Sequence, residues 1–113
     1  MMLPEKLILD HLKANLTVPV FMEHQETDPE VFVIIERVGG SRTEHIQRAS
    51  FALQSYGKTM LQAALLNDEV KRAMDLLIES PAVSAVELDS DYNYTDTQTK
   101  HYRYQAVYDL VLF

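Results

Sequence analysis

Two stretches near the C-terminus, Val83 to Tyr94 and Lys100 to Phe113, alternate along the chain with a period of two. In the second, Tyr102, Tyr104, Ala106, Tyr108, Leu110 and Leu112 share one face, and His101, Arg103, Gln105, Val107, Asp109 and Val111 share the other. That alternation is the mark of a half-buried strand. The turn-rich segment Thr95 to Thr99 between the two predicts an antiparallel hairpin. Setting Tyr94 opposite Tyr102 places Tyr92 by Tyr104, Leu88 by Tyr108 and Val86 by Leu110, with Glu87, Asp89, Asp91 and Asn93 on the polar face. Arms of about twelve residues reach roughly 40 Å when extended. The tip, with its four tyrosines, is therefore expected to project beyond the core.

Upstream the periods change. Pro4 and Glu5 suit a first helical turn, and Leu7, Ile8 and Leu12 make an apolar stripe that ends near Asn15. Val18 to Met22 reads as a short strand, held to an edge or a strand start by Pro19. The acidic stretch Glu23 to Glu30 reads as a surface turn. Val31 to Ile35 is a continuous apolar run, which predicts a strand covered on both faces in the middle of the sheet. Gly39 and Gly40 are expected to end that strand, and the polar segment Ser41 to Arg48 to form a long mobile loop. Ala49 to Tyr56 forms the next strand.

Thr59 with Gln62 is a capping box, in which the hydroxyl takes a free helical amide while the glutamine reaches back. Beyond it Met60, Ala63, Leu66, Val70, Ala73, Met74 and Leu77 recur at spacings of three and four, opposite a charged face that includes an Asp68 and Arg72 pair. Ser80 and Pro81 end that helix. The element order is αβββαββ, an α+β single domain over residues 1–113, with two helices on one face of a mainly antiparallel sheet of five strands.

Charge and composition narrow the function. The net charge is −7 and the basic residues are scattered, which argues against a general phosphate-backbone binder. Cysteine is absent, so disulfides, thiolate zinc sites and thiol nucleophiles are excluded. No apolar run reaches the roughly 18 residues of a membrane span, and Met1 to Lys6 lacks a secretory pattern, so no membrane partner is expected.

Catalytic motifs are not apparent. His11, His24, His45 and His101 lack metal-ligand spacing, Gly39-Gly40-Ser41-Arg42 lacks the lysine of a phosphate loop, and Ser50, Ser55 and Ser80 lack a nucleophile elbow. Asp89 and Asp91 read as a solvated acidic face. We therefore expect no catalytic, cofactor-binding or metal residues. The interface candidates are Tyr92, Tyr94, Tyr102 and Tyr104, since tyrosine is enriched in contact patches, together with Arg42 and Arg48.

The passage Val31 to Gly40, the strand ending Ser55-Tyr56-Gly57, the amphipathic helix after it and the closing strand Tyr102 to Phe113 together resemble the minor tail proteins of long-tailed bacteriophages. Within that group the order and spacing are most similar to the tail terminator, or tail-completion and head-tail joining, family. The resemblance runs from about Leu7 to Phe113 and implies a non-enzymatic phage or prophage structural protein. It further implies a homo-oligomer, a hexameric ring that caps the tail-tube protein and meets the head connector protein, while DNA passes through the lumen without specific binding. Such a protein would assemble in the host cytoplasm and end in the virion neck. The alternatives are another head-tail joining neck protein, or a small cytoplasmic ligand-binding α+β domain with a concave pocket.

Overall fold

The computed structural model describes residues 3–113. Its elements are α1 (Pro4–Asn15), β1 (Val20–Phe21), β2 (Phe32–Thr43), β3 (Ile46–Gly57), α2 (Met60–Asp75), a single 3-10 turn (Leu76–Glu79), β4 (Val83–Asn93) and β5 (Tyr102–Leu112). The strands form one five-stranded sheet in the order β1-β2-β3-β5-β4. Only β1 and β2 run parallel, and every other pair is antiparallel. This is the expected α+β arrangement.

Both helices cover one face of the sheet. Ile8 and Leu12 from α1, and Val70 and Met74 from α2, bury against Val33, Phe51, Leu53, Tyr108 and Leu110. The helices are joined by His11, whose Nε2 donates to the Ala73 carbonyl at 2.6 Å. At the start of α2 the capping box is formed. Thr59 Oγ1 accepts the Gln62 amide at 3.1 Å, and Gln62 Oε1 accepts the Lys58 amide at 2.7 Å. Met60, expected on the buried stripe, is 36% exposed at the helix end.

Four expectations are corrected. Gly39 and Gly40 do not end the strand, and Ser41 to Arg48 is not a loop. β2 runs on to Thr43 and turns directly into β3, with Thr43 paired to Ile46. The turn residues Glu44 and His45 both have positive φ, 47° and 73°, which fits the two-residue type I′ turn whose twist matches a hairpin. Ser41 to Ile46 and Arg48 are exposed, so this end of the ladder has little core beneath it, and only Gln47, paired with Leu112, is buried. Gly40 is needed there, since a Cβ would lie 2.9 Å from the Arg48 carbonyl oxygen.

Nor is β2 the middle strand, a place held by β3. The run in β2 is nevertheless covered on both faces. Val33 and Ile35 join the helix-side core, while Phe32 and Ile34 form a second cluster with Tyr56 and Phe21.

The hairpin register also departs from the reading. Val86 pairs with Leu110 and Leu88 with Tyr108, as expected, but a bulge between Leu88 and Ser90 then slips the ladder, so that Tyr92 meets Gln105 and Asn93 meets Tyr104. Asp89 is the extra residue. Because strand side chains alternate, one inserted residue moves everything after it to the other face.

Candidate functional site

The second apolar cluster lies on the face of the sheet opposite the helices. The chain between β1 and β2 folds over it and brings His24 against the rings of Phe32 and Tyr56, with centroids 6.1 and 5.5 Å away. A hydrogen-bonded line begins at Asp28. Its Oδ1 accepts the Gln25 amide at 2.7 Å, and its Oδ2 lies 2.6 Å from His24 Nδ1. His24 Nε2 is 3.3 Å from the Tyr56 hydroxyl, which also accepts from Arg103 Nη1 at 3.0 Å.

The chemistry of these groups assigns the protons. A guanidinium can only donate and an ionised carboxylate can only accept. In the neutral ring His24 donates from Nδ1 to Asp28 and accepts at Nε2 from the Tyr56 hydroxyl. In the protonated ring, whose charge acts on Asp28, both nitrogens donate and the hydroxyl accepts. Burial raises the Asp28 carboxyl, but the Gln25 amide, the hydrogen bond and charge of His24, and the charge of His101 outweigh it and hold the group below its ordinary value. With Tyr56 only 5% exposed, the line acts as a clamp that pins the connection onto the sheet. Beside it opens a cleft of about 430 Å³ lined by His24, Asp28, Phe32, Tyr56, Lys58 and His101. Lys58 pairs with Glu30 at 2.7 Å across its rim.

The tyrosine tip is split by the bulge. Tyr92 and Tyr94 lie together edge to face at 5.9 Å, and both are about two-fifths exposed. Tyr92 accepts from Gln105 Nε2 at 2.6 Å, and the Arg103 guanidinium sits 4.5 Å from the Tyr94 ring centroid. Tyr104 pairs with Ser55 on the helix side, and Tyr102 pairs with Gly57. The tip does not stand free of the body: Arg103 Nη1 donates to the Tyr56 hydroxyl on β3, and Thr95 Oγ1 reaches Met60 Sδ on α2 at 3.5 Å.

Arg42 and Arg48 are at the other end of the sheet, exposed beside the Glu44 and His45 turn. The six interface candidates thus fall at two ends of a molecule 45 Å long. His24, Asp28, Tyr56 and Arg103 were not among them. The four-residue spacing of His24 and Asp28 was the available signal, but it lies in a connection that reads as a surface turn.

Among the described residues no three His, Asp or Glu side chains converge as a metal site, and no helix is long and apolar enough to cross a membrane. Neither a protein-family model nor a curated protein matches this chain in sequence.

Proposed function

We propose that this chain is a structural subunit of a long-tailed bacteriophage or prophage, a tail terminator or close head-tail joining relative that works as a ring and catalyses no reaction. The observation that carries this reading is the apolar surface left uncovered on the outer side of α2. Leu61 and Leu65, one helical turn apart, are 69% and 57% exposed. Leu76 continues the same line beyond the Asp68 and Arg72 pair, and it is also exposed. Adjacent exposed leucines mark a surface that another protein covers. The resemblance of the strand and helix order to tail terminators names the kind of partner, the tail-tube protein, with the head connector on the opposite side. The charge of −7 suits a lumen through which DNA slides without being gripped.

Light scattering over a concentration series, alone and with tail-tube protein, tests the reading. Rings on the tube are the expected outcome, and monomers under both conditions overturn it.

A second reading, a small ligand-binding domain, is favoured by the cleft beside His24 and Tyr56. Thermal-shift screening with small anions and aromatic acids separates the two. A saturable ligand that protects Tyr56 and leaves the chain monomeric favours the second.

A further inference from the structure

The sheet has two open edges, and they match. β1 covers β2 only at Val33 and Ile34, so from Ile35 to Thr43 no strand of the described residues lies outside it. On the far side β4, whose ladder shifts register at Ser84 and again at Asp89, has β5 as its single strand neighbour among the described residues. Following the pairings across the sheet, the row of Ile34 runs through Gln54 and Gln105 to Tyr92, and the row of Ile35 through Leu53 and Ala106 to Asp91. At the other end the row of Arg42 runs through Gln47 and Leu112 to Val83. The free part of β2 therefore spans the same rows as Val83 to Asp91 of β4, and β1 closes the edge where that span ends.

Direction agrees as well. β2 is antiparallel to β3, β3 to β5 and β5 to β4, so β2 and β4 point in opposite directions. A second copy in the same orientation brings its β2 beside β4 as an antiparallel neighbour, continuing the alternation.

Charge selects this pairing over others. Glu87, Asp89 and Asp91 lie along β4 without a cation in the strand, whereas the free part of β2 carries Arg37 and Arg42 against Glu36 alone. Asp91 is paired with Lys71 at 2.9 Å and Arg37 with Glu5 at 3.3 Å, while among the described residues Glu87, Asp89 and Arg42 have no ionic partner. Glu87 also stands directly opposite Asp109, a like-charge pair that is unfavourable within one copy. Two β4 edges repel each other. In the aligned rows Arg37 meets Leu88, between Glu87 and Asp89, Arg42 meets Val83 and Glu36 meets Ser90. It is therefore the net positive charge of the β2 edge, not a set of matched pairs, that complements the acidic β4 edge.

We infer that copies of this chain join head to tail through their sheets, the acidic β4 edge of one beside the free β2 edge of the next. The interface is heterologous, so it closes into a ring or grows as a filament according to the angle between copies. The inference rests on the ring reading only for that closure.

A charge-swap series in sedimentation velocity tests it. The wild type is expected to associate, and Glu87→Lys with Asp89→Lys on β4, or Arg42→Glu on β2, to weaken association about tenfold or more. The chain with all three changes, and an equimolar mixture of the two variants, should each recover to within about threefold. Thermal melts identify any variant that has lost its fold, and the recovery arms apply independently of either one. A wild type monomeric up to about millimolar concentration, or association unmoved by both reversals, overturns the edge pairing. Closed rings indifferent to the reversals remove the edge assignment and leave the ring reading standing. Open filaments that obey the charge swap support the edge pairing and remove the closed ring.

Discussion

Phe32 and Tyr56 stack face to face across β2 and β3, with ring centroids 4.4 Å apart and planes within 5° of parallel. They anchor the second core, and the two rings can be separated by mutation. Phe32→Ala removes a side chain only 4% exposed and should cost about 3 kcal/mol or more. Tyr56→Phe keeps the stack but leaves His24 and Arg103 without the hydroxyl, for a loss of about 1 kcal/mol. Urea unfolding of both variants checks this, and equal losses would show that the hydroxyl holds the cluster as strongly as the ring does.

The Asp28 clamp makes the same region sensitive to acid. A carboxylate whose folded pKa is depressed adds stability that is complete above its unfolded value, near pH 4, and is lost as pH falls through the lower folded value. Below about pH 4 the unfolded chain takes up the proton first, so acid should loosen the connection over Phe32. Asp28→Asn should remove that component. Denaturation midpoints measured from about pH 6 to about pH 2 should show the wild type losing its advantage over the variant as acid is added. A constant gap between them would mean that Asp28 contributes nothing through its charge.

Glycine positions offer a direct packing test. A Cβ at Gly57 would lie 2.6 Å from the Ala63 amide nitrogen, whereas at Gly39 its nearest neighbour would be 3.8 Å away. Gly57→Ala should push the first turn of α2 off the end of β3 and cost about 1 to 3 kcal/mol, while Gly39→Ala should be close to neutral. Circular-dichroism melts of the two variants decide it.

The hairpin separates core from surface. Leu110 is 1% exposed, so Leu110→Ala should cost about 2 to 5 kcal/mol. Tyr94→Ala removes an exposed ring under Arg103, a loss of about 1 kcal/mol or less. On the ring reading Tyr94→Ala weakens assembly more than stability. If it melts as early as the Leu110 variant, the tip is part of the core.

What could be read in advance followed from periodicity. The stripe of α2, the capping box at Thr59 and Gln62, and the pairing of Val86 with Leu110 each come from a repeat or a local motif, and each is present. What escaped were single-residue and long-range events. Nothing in the composition around Asp89 marks it as the bulge that turns Tyr92 away from Tyr104, because a strand tolerates an inserted polar residue at an edge. The clamp joins His24 to Tyr56 and Arg103 across 32 and 79 positions, and no local pattern reports such a contact. The mobile loop expected at Ser41 to Arg48 failed for a third reason. Polar residues beside glycines are equally the marks of a loop and of a strand end with little core below it.

That hairpin end carries the last test. Glu44 and His45 both adopt left-handed backbone, which costs a residue with a Cβ roughly 1 to 2 kcal/mol relative to glycine. Asn and Gly are the pair a type I′ turn prefers. Glu44→Asn together with His45→Gly should therefore raise stability by about 1 kcal/mol or more, because the native turn already has the shape those residues favour. In a disordered loop the same change would bring no gain, since there would be no fixed left-handed conformation to relieve. Hydrogen exchange supplies the matching observation: inter-strand amides between Ser41 and Arg48 should exchange slowly in the wild type and more slowly in the variant. Fast exchange in both, with unchanged melting, would return the segment to a mobile loop.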